Sequence, residues 1–233
     1  MTMVLHWCPM GVRKSHAAPT ATATVRGTVR AKEVLVATNG YTNQGPGLGW
    51  YQRRVVPVKL FQVATEPLSP QLLNKLLPGG RTLIDSLTNI TWIRLSPDNT
   101  RLIIGGRSGV DEGGPQNKAR KLHADAAAIF PELQNVKLTH SWEGQCSFTF
   151  DKLPHVGIRD GVHYAMGYCG VGLPMGTWMG HRVGLKLLGK PEGATPLDGR
   201  GFPTRPFYTG HPWFMPAMMA YYDLKDRIEM MRG

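Results

Sequence analysis

The sequence predicts an α/β fold in which a mainly antiparallel β segment interrupts a ligand-binding α/β domain. Three observations predict it: a continuous apolar strand at 33–37, a β-rich middle crossed by one amphipathic helix, and a strand–glycine turn–helix unit at 162–188. A continuous apolar strand is typical of a sheet covered on both faces. This order of elements favours an antiparallel insert between two pieces of an α/β domain over a single uniform sheet.

The first predicted elements are a hairpin and the buried strand. Thr22–Arg26 and Val29–Ala31 flank a glycine turn, which predicts the hairpin. The strand Glu33–Ala37 then ends at Asn39-Gly40. Loops beyond the carboxyl ends of such strands are where α/β proteins bind ligands. Residues 43–50, "NQGPGLGW", are predicted to form a loop.

The middle of the chain alternates strands with two helices. Residues 53–68 predict a long strand, in which Pro57 marks an edge or a bend. Ser69-Pro70 predicts the cap of a short helix that runs through Leu77. "TWIRLSPDNTRLIIGG" predicts a hairpin. Apolar residues spaced three and four apart predict a helix over 116–130, ended by Pro131, with its buried face at Ala119, Leu122, Ala126 and Ile129.

The last third predicts a strand at "VHYAMG", a glycine turn, a helix over 175–188 and a final helix near 216–231. The turn lies in "MGYCGVGLPMG", residues 166–176, which holds four glycines and a proline. Glycines at this density indicate left-handed backbone or close approach to another group. The unpaired N–H groups of the following helix start suit an electron-rich ligand. Close packing of strand and helix is the alternative explanation.

Composition and charge exclude several classes of protein. Of 233 residues, 42% are hydrophobic and 18% charged, which is a globular balance, and no apolar run reaches the length of a membrane span. The net charge of +11 would suit a nucleic-acid binder, but the basic residues are scattered and form no run. Such a surface attracts small anions or an acidic partner. The N-terminus lacks the order of a secretory signal, so the sequence predicts a cytoplasmic protein. The cysteines have no metal-ligand spacing and predict no metal site: Cys8, Cys146 and Cys169.

A family resemblance rests on five segments that stand in family order. They are "AKEVLVATNGYT", "PVKLFQVATEPL", "IRLSPDNTRLIIGGR", "FPELQNVKLTHSWEGQCSFTFDKLPHVG" and "YAMGYCGVGLPMGTWMGHRVGLKLLG". Over about residues 22–189 the chain resembles the C-terminal part of FAD-dependent amine and amino-acid oxidoreductases. This D-amino acid oxidase-like family includes glycine oxidase, sarcosine oxidase and γ-glutamylputrescine oxidoreductases. The tail "RPFYTGHPWF" is most similar to the putrescine-type members.

The resemblance implies an incomplete FAD-binding, glutathione-reductase-like domain with a mainly antiparallel substrate domain inserted. The boundaries expected from it are an unmatched segment 1–21, a remnant of the FAD-binding domain at 22–44, the substrate domain at 45–141, the C-terminal part of the FAD-binding domain at 142–190, and a tail with a helix at 191–233.

The resemblance also implies where FAD would lie. In the family the equivalent of "GYCGVG" passes over the isoalloxazine ring, and the next helix points its N-terminus at the pyrimidine end. Backbone N–H groups of Val171, Gly172 and Leu173 would stabilise negative charge on the reduced ring. The cofactor-binding residues implied are Thr38, Asn39, Gly40, Gly167, Tyr168, Gly170, Val171, Gly172 and Leu173.

Cys146 stands where two branches of the family carry functional residues. Glycine oxidase-like members have a carboxylate-clamping arginine there, so its absence favours an amine over an α-amino acid as the substrate. Sarcosine oxidase-like members attach flavin covalently through a cysteine at this place. A small buried side chain is the plainer interpretation of Cys146.

The other candidate residues also have structural alternatives. Arg94, Trp142 and Tyr168 could line the substrate pocket, or serve as a core aromatic and surface hydrogen-bonding groups. Asp151 and His155 could lie near the ring, but a structural loop is the better interpretation of them. No catalytic base is identified, because the implied reaction transfers hydride from the amine carbon to flavin N5 and needs little acid–base machinery from the protein. Imine hydrolysis and reoxidation by oxygen or another acceptor would follow.

The sequence lacks the family's strand–GxGxxG–helix, since "GPGLGW" at 45–50 fails at its last position. We therefore expect the C-terminal portion of an FAD-dependent amine oxidoreductase, which needs a missing or separate FAD-binding half as its partner. The alternatives are a non-catalytic accessory subunit that pairs with a flavin-binding chain and, less favoured, a basic nucleic-acid-binding protein.

Overall fold

A computed structural model describes residues 2–5, 10–13, 20–24, 27–44, 47–107 and 114–232 of the chain. The strands are β1 Thr2–Leu5, β2 Met10–Arg13, β3 Thr20–Thr24, β4 Gly27–Ala31, β5 Glu33–Val36, β6 Val55–Thr65, β7 Leu83–Ile84, β8 Thr91–Leu95, β9 Leu102–Arg107, β10 Leu138–Thr149, β11 His155–Arg159 and β12 Val162–Met166. The α-helices are α1 Gly49–Gln52, α2 Pro70–Leu76, α3 Pro115–Ile129, α4 Gly172–Leu187 and α5 Met215–Arg232. The fold is therefore mixed α/β.

The first sheet has the order β1-β5-β12-β11, with β5 parallel to both of its neighbours and β11 antiparallel to β12. Val34 and Val36 of β5 belong to one apolar cluster. Leu35, between them, belongs to another cluster that includes Met179 and Val183 of α4. Because alternate side chains of a strand point to opposite faces, this strand is covered on both faces, which confirms the prediction.

Two antiparallel arrangements follow the sequence pattern closely. The predicted N-terminal hairpin is confirmed, since β3 pairs with β4 in a register that opposes Thr22 and Val29, while Arg26 lies outside the described residues. With β2 these strands form a three-stranded sheet. The predicted hairpin of β8 and β9 is also confirmed. Its turn closes through the Asn99 N–H, which donates to the Ser96 carbonyl at 2.9 Å.

The largest sheet has the order β10-β6-β9-β8-β7. The long strand predicted at 53–68 is β6, and it pairs antiparallel with β9 from Leu60 to Ala64. Pro57 precedes this paired stretch, so its missing N–H removes no bond to β9.

The first residues of α2 and α4 explain where these two helices begin. The Ser69 side chain accepts a hydrogen bond from the Leu72 N–H at 3.2 Å, which confirms the predicted cap of α2. Helix α4 begins at Gly172, three residues before the predicted start. Pro174 is tolerated in its first turn because N–H groups there have no partner within the helix.

Two local predictions are wrong. Residues 43–50 are not all loop, since a 3-10 helix spans Asn39–Gln44 and α1 begins at Gly49; turns this short leave no periodic signal. Ile129 does not belong to the buried face of α3, because it lies in the last turn and is 36% exposed, whereas Leu122 and Ala126 are buried.

The chain divides into two compact units. The first unit comprises Met1–Val58 and Gln145–Pro212, and the second comprises Lys59–Gly144 and Trp213–Gly233. Their assignment as cofactor and substrate domains, with the boundaries given above, stays a prediction. No helix within the described ranges is long and apolar enough to cross a membrane.

Candidate functional site

The glycine turn that follows β12 is built from left-handed backbone. Gly167, Cys169 and Gly170 have φ angles of 82°, 50° and 94°. At Gly167 a Cβ atom would also lie 2.4 Å from Cγ2 of Thr149, so both conformation and packing demand glycine there. At Gly170 the space is open, and only the backbone conformation demands glycine.

Hydrogen bonds hold the turn against β10. The Cys169 N–H donates to the Ser147 carbonyl at 3.0 Å, and the Val171 N–H donates to the Tyr168 carbonyl at 3.0 Å. The N–H of Val171 is therefore already bonded within the turn. Closing the turn therefore already uses this donor, and its contribution to stabilising charge on the cofactor stays a prediction.

The N-terminus of α4 leaves two donors free. Among the described residues, the N–H groups of Gly172 and Leu173 have no acceptor, and Val171 supplies no side-chain cap. The next residue, Pro174, has no N–H, and the Met175 N–H already donates to the Val171 carbonyl at 3.2 Å. Leu173 is 87% exposed. The helix thus presents two adjacent donors and its positive dipole end on an open face.

Gly172 is not required by the packing of the described chain. Its φ is not left-handed, and an added Cβ would meet only Cδ2 of Tyr168 at 3.8 Å, which is an ordinary contact. Neither the backbone conformation nor the packing requires glycine at this position, which carries one of the two free N–H groups. This arrangement is expected where a ligand approaches the backbone closely.

Asn39 joins the ends of three strands at this turn. Its Oδ1 accepts hydrogen bonds from Ser147 Oγ at 2.5 Å and from the Gly167 N–H at 3.0 Å. It adopts a left-handed φ of 45°, which asparagine tolerates better than most residues. One side chain therefore fixes the end of β5 to β10 and to the residue after β12.

The neighbours of Asn39 serve packing inside the chain. Thr38 is buried and its Oγ1 lies 2.8 Å from Oγ1 of Thr42. A Cβ on Gly40 would lie 2.7 Å from the Gln145 carbonyl oxygen, so only glycine lets β10 come this close. The structure brings Thr38, Asn39 and Gly40 together with the glycine turn, and their contact with a cofactor stays a prediction.

Tyr168 packs beside the first turns of α4. Its hydroxyl donates to the Ala165 carbonyl at 3.3 Å, and its ring lies beside Gly172 and Gly176. Burial raises the pKa of this phenol, which stays neutral. Tyr168 is thus a positioning residue of the turn in the first unit.

The other two pocket candidates lie in the second unit. Arg94 is exposed on β8, where its Nη1 donates to the Leu95 carbonyl at 3.4 Å. Trp142 lies on β10 and is 42% exposed, which argues against the core-aromatic interpretation. Their role in binding substrate stays a prediction.

Cys146 lies on β10 with its thiol turned to the neighbouring strand. Its Sγ is 3.7 Å from the Val58 carbonyl oxygen, to which the thiol donates, and the residue is half-buried. This geometry suits a small packed side chain. Covalent attachment of a flavin to Cys146 stays a prediction.

Asp151 and His155 anchor a loop. The Asp151 carboxylate lies 3.0 Å and 3.1 Å from Nε2 of His155, and it also accepts from the Leu153 N–H at 3.3 Å. Burial raises the pKa of Asp151, but these hydrogen bonds outweigh it and hold the pKa below its ordinary value. His155 is buried and stacks on Phe202 at 4.1 Å between ring centroids. These contacts favour the structural interpretation. No group of metal ligands occurs in the part of the chain that the structure describes.

Ser147 is the residue of this site that sequence reasoning missed. It accepts from Cys169 through its backbone and donates to Asn39 through its side chain. A serine in a strand carries no motif, so only the three-dimensional contact identifies it.

A sequence model of FAD dependent oxidoreductases matches residues 11–184, about three quarters of the chain. The chain belongs to the FAD-dependent oxidoreductase family. This confirms the resemblance found in the sequence. The resemblance starts at about Thr22, whereas the family match already begins at residue 11.

Curated relatives of this oxidoreductase chain match it along most of its length. It is 31% identical over 219 residues to the γ-glutamylputrescine oxidoreductase of Escherichia coli, covering 91% of this chain and 50% of that protein. It is 29% identical over 184 residues to the probable oxidoreductase OrdL of Haemophilus influenzae, covering 78% of this chain and 42% of that one. The chain therefore spans about half the length, or less, of the curated relatives it matches.

Solved structures share the fold of this oxidoreductase chain. Glycine oxidase from Geobacillus kaustophilus has a TM-score of 0.62 at 22% identity, with 84% of this chain and 51% of that chain covered. L-proline dehydrogenase from P. horikoshii has a TM-score of 0.61 at 20% identity, with 81% and 51% covered.

FAD is the cofactor that family membership implies, and the glycine turn fits part of it. Two unpaired N–H groups, an open glycine face and a first helical turn without an acidic residue suit an electron-rich ring edge. The GxGxxG segment that would hold the pyrophosphate is not among the 233 residues.

Proposed function

We propose that this chain forms the flavin-ring and substrate portion of an FAD-dependent oxidoreductase that oxidises an amine. Its relatives and structural neighbours include enzymes named for γ-glutamylputrescine, glycine and L-proline, all of which contain an amine nitrogen. In this proposal residues 22–44 and 142–190 belong to the cofactor domain, and 45–141 form an antiparallel substrate domain inserted between them. The dinucleotide-binding half is supplied by another segment or another chain.

The observation that carries the proposal is the pair of free N–H groups at the start of α4. Gly172 and Leu173 would donate to the pyrimidine edge of the flavin ring, and the helix dipole would stabilise negative charge there. Gly172 keeps this face clear of side-chain atoms. When bound, the flavin supplies the two-electron acceptor for oxidation of the amine.

The remaining residues hold this arrangement in place. Asn39 and Ser147 fix the turn through Gly167 and Cys169, so its donors need no rearrangement on binding. Preorganised donors stabilise developing charge better than mobile ones. Cys146 stands where glycine oxidase-like members have an arginine that binds the substrate carboxylate. The proposed substrate is therefore a primary or secondary amine that does not need an α-carboxylate for binding.

The test is a flavin titration of the purified chain with matched glycine variants. Gly172→Leu places a side chain on the proposed ring face, whereas Gly180→Leu places the same side chain in open space on the same helix. We expect wild type and Gly180→Leu to quench riboflavin and FAD fluorescence alike, and Gly172→Leu to bind roughly tenfold or more weakly.

Riboflavin serves as a probe because the proposed site contacts the ring and not the adenylate. Equal weakening in both variants, or no binding of either flavin by the wild type, would overturn the assignment of the ring site. Acid precipitation of the loaded protein adds a second readout, since a flavin band that stays in the pellet indicates a covalent bond, as predicted for Cys146.

A further inference from the structure

A cavity of about 590 Å³ in the first unit involves none of the residues of the glycine turn. The described residues that line it include one tryptophan, two arginines and two threonines, and none of these lining residues is acidic. Its lining residues are Gly49, Trp50, Arg53, Arg54, Thr204 and Thr209.

Arg54 is held rigidly at this cavity. Its Nε donates to the Phe202 carbonyl at 2.9 Å and its Nη1 to the Trp50 carbonyl at 2.7 Å. Its guanidinium carbon lies 3.8 Å from the centroid of the Trp50 ring. Within the described ranges Nη2 has no acceptor, so a fixed guanidinium presents unused donors. A ligand that binds to Arg54 therefore does not have to order that side chain.

Positive charge at the cavity exceeds the negative charge that could balance it. Arg159 lies 5.5 Å from the Trp50 ring and pairs with Asp160 at 3.1 Å, with both side chains at least half exposed. Among the described residues, Arg53 and Arg54 have no carboxylate partner within ion-pair distance. Burial, followed by the charges of Arg159 and Arg53, lowers the pKa of Arg54. Two arginines without a carboxylate partner therefore line the cavity, and the Arg159–Asp160 pair lies beside its indole ring.

We propose that this cavity binds the dianionic phosphate group of a small molecule. The charge balance favours two negative charges over one, and a phosphate monoester carries close to two at neutral pH. Guanidinium forks match the geometry of phosphate oxygens, and arginines stacked on an aromatic ring keep their in-plane donors available. The Thr209 hydroxyl can add a further donor, whereas the Thr204 hydroxyl already donates to the Arg53 carbonyl at 2.5 Å.

The phosphate could come from the inorganic ion or from a nucleotide, so the experiment uses both. Isothermal titrations at one fixed ionic strength would compare inorganic phosphate, adenosine monophosphate and acetate as ligands of the full chain. We expect both phosphates to bind at least about tenfold more tightly than acetate. Equal affinity for the two phosphates indicates recognition of the phosphate alone, and tighter adenosine monophosphate indicates a nucleotide.

Arg53→Gln is the variant that tests the site, because Arg53 is exposed and its loss leaves the bonds of Arg54 intact. Arg81→Gln is its control, since it removes one exposed arginine from the second unit. We expect phosphate affinity to fall about fivefold or more in Arg53→Gln and less than about twofold in Arg81→Gln. Arg159→Gln should also weaken phosphate binding.

Three results would overturn the proposal. If the Arg53 and Arg81 variants lose equal affinity, phosphate responds only to the net charge of +11. If acetate binds as tightly as phosphate, or if no phosphate binds, the cavity is not a dianion site. Melting curves of each variant ensure that folded proteins are compared.

Discussion

Asn39 shows how one side chain can position a functional turn. Its carboxamide oxygen satisfies the Gly167 N–H and the Ser147 hydroxyl, and its backbone occupies the left-handed region. Gly167 begins the turn that leads to the free donors of α4, so the contact fixes the point from which that turn starts. Asn39 is therefore a positioning residue.

We expect Asn39→Ala to lower the free energy of unfolding by roughly 2–3 kcal/mol, because two hydrogen bonds are lost and the Gly167 N–H is left unpaired. Asn99→Ala is the matched control, since Asn99 also has a left-handed φ, of 55°, but lies exposed in the β8–β9 turn. The Asn99→Ala variant loses only the free energy needed to hold alanine in the left-handed conformation. Urea unfolding measures both, and equal losses would show that the Asn39 hydrogen bonds contribute nothing.

At the scale of elements, helix α5 is joined to the β7–β8 loop by a buried carboxylate. Asp226 is 4% exposed and accepts hydrogen bonds from the Thr88 and Asn89 N–H groups, both at 2.9 Å. Asp223, one turn earlier, accepts from the Asn89 side chain at 2.5 Å. Polar contacts therefore attach this helix to the rest of the second unit.

We expect Asp226→Ala to cost about 2–3 kcal/mol, because two loop N–H groups lose their acceptor. Amide hydrogen exchange in α5 should accelerate more than exchange in α3, since the lost contacts anchor α5 specifically. Glu229→Gln changes an exposed carboxylate on the same helix and should leave both readouts unchanged. Uniform acceleration throughout the second unit would contradict a local anchoring role.

The elements differ in how far the sequence could predict them. The cap of α2 and the β8–β9 turn were predictable because Ser69 and Ser96 bond to residues within a few positions of themselves. The contacts of Asn39 join residues 108 and 128 positions apart, and no local pattern encodes such partners. The glycine turn could be predicted because left-handed backbone favours glycine, and glycines are visible in the sequence. Ser147 and Arg54 could not be predicted, because they act through contacts with residues far away in the sequence.

At the scale of the whole molecule, the carboxyl groups predict how stability depends on pH. The pKa is held below its ordinary value in Asp98, Glu132, Asp151, Asp198 and Asp226. In Asp226 burial raises the pKa, but the hydrogen bonds from Asn89 and Thr88 outweigh it. Asp125 is the opposite case, since burial raises its pKa despite Lys121.

A carboxyl group with a lowered pKa stabilises the fold above the pKa of the unfolded chain, and that contribution is lost as pH falls through the lower folded pKa. Asp125, whose pKa is raised, instead adds stability as pH falls. Five carboxyl groups have a lowered pKa, so their loss of stability outweighs this gain. We therefore expect the urea midpoint to fall steadily as pH is lowered from about 5 to about 2. Protonation also adds positive charge to a chain that already carries +11, which increases self-repulsion.

The two causes of acid destabilisation can be separated. Salt screens repulsion between exposed charges but acts weakly on the buried hydrogen bonds of Asp226. In Asp226→Ala the decline with pH should become shallower at every salt concentration, whereas Glu229→Gln should follow the wild type. If high salt abolished the decline in the wild type, or if Asp226→Ala kept the full slope, net charge and not the bonded carboxylates would set the acid limit of this fold.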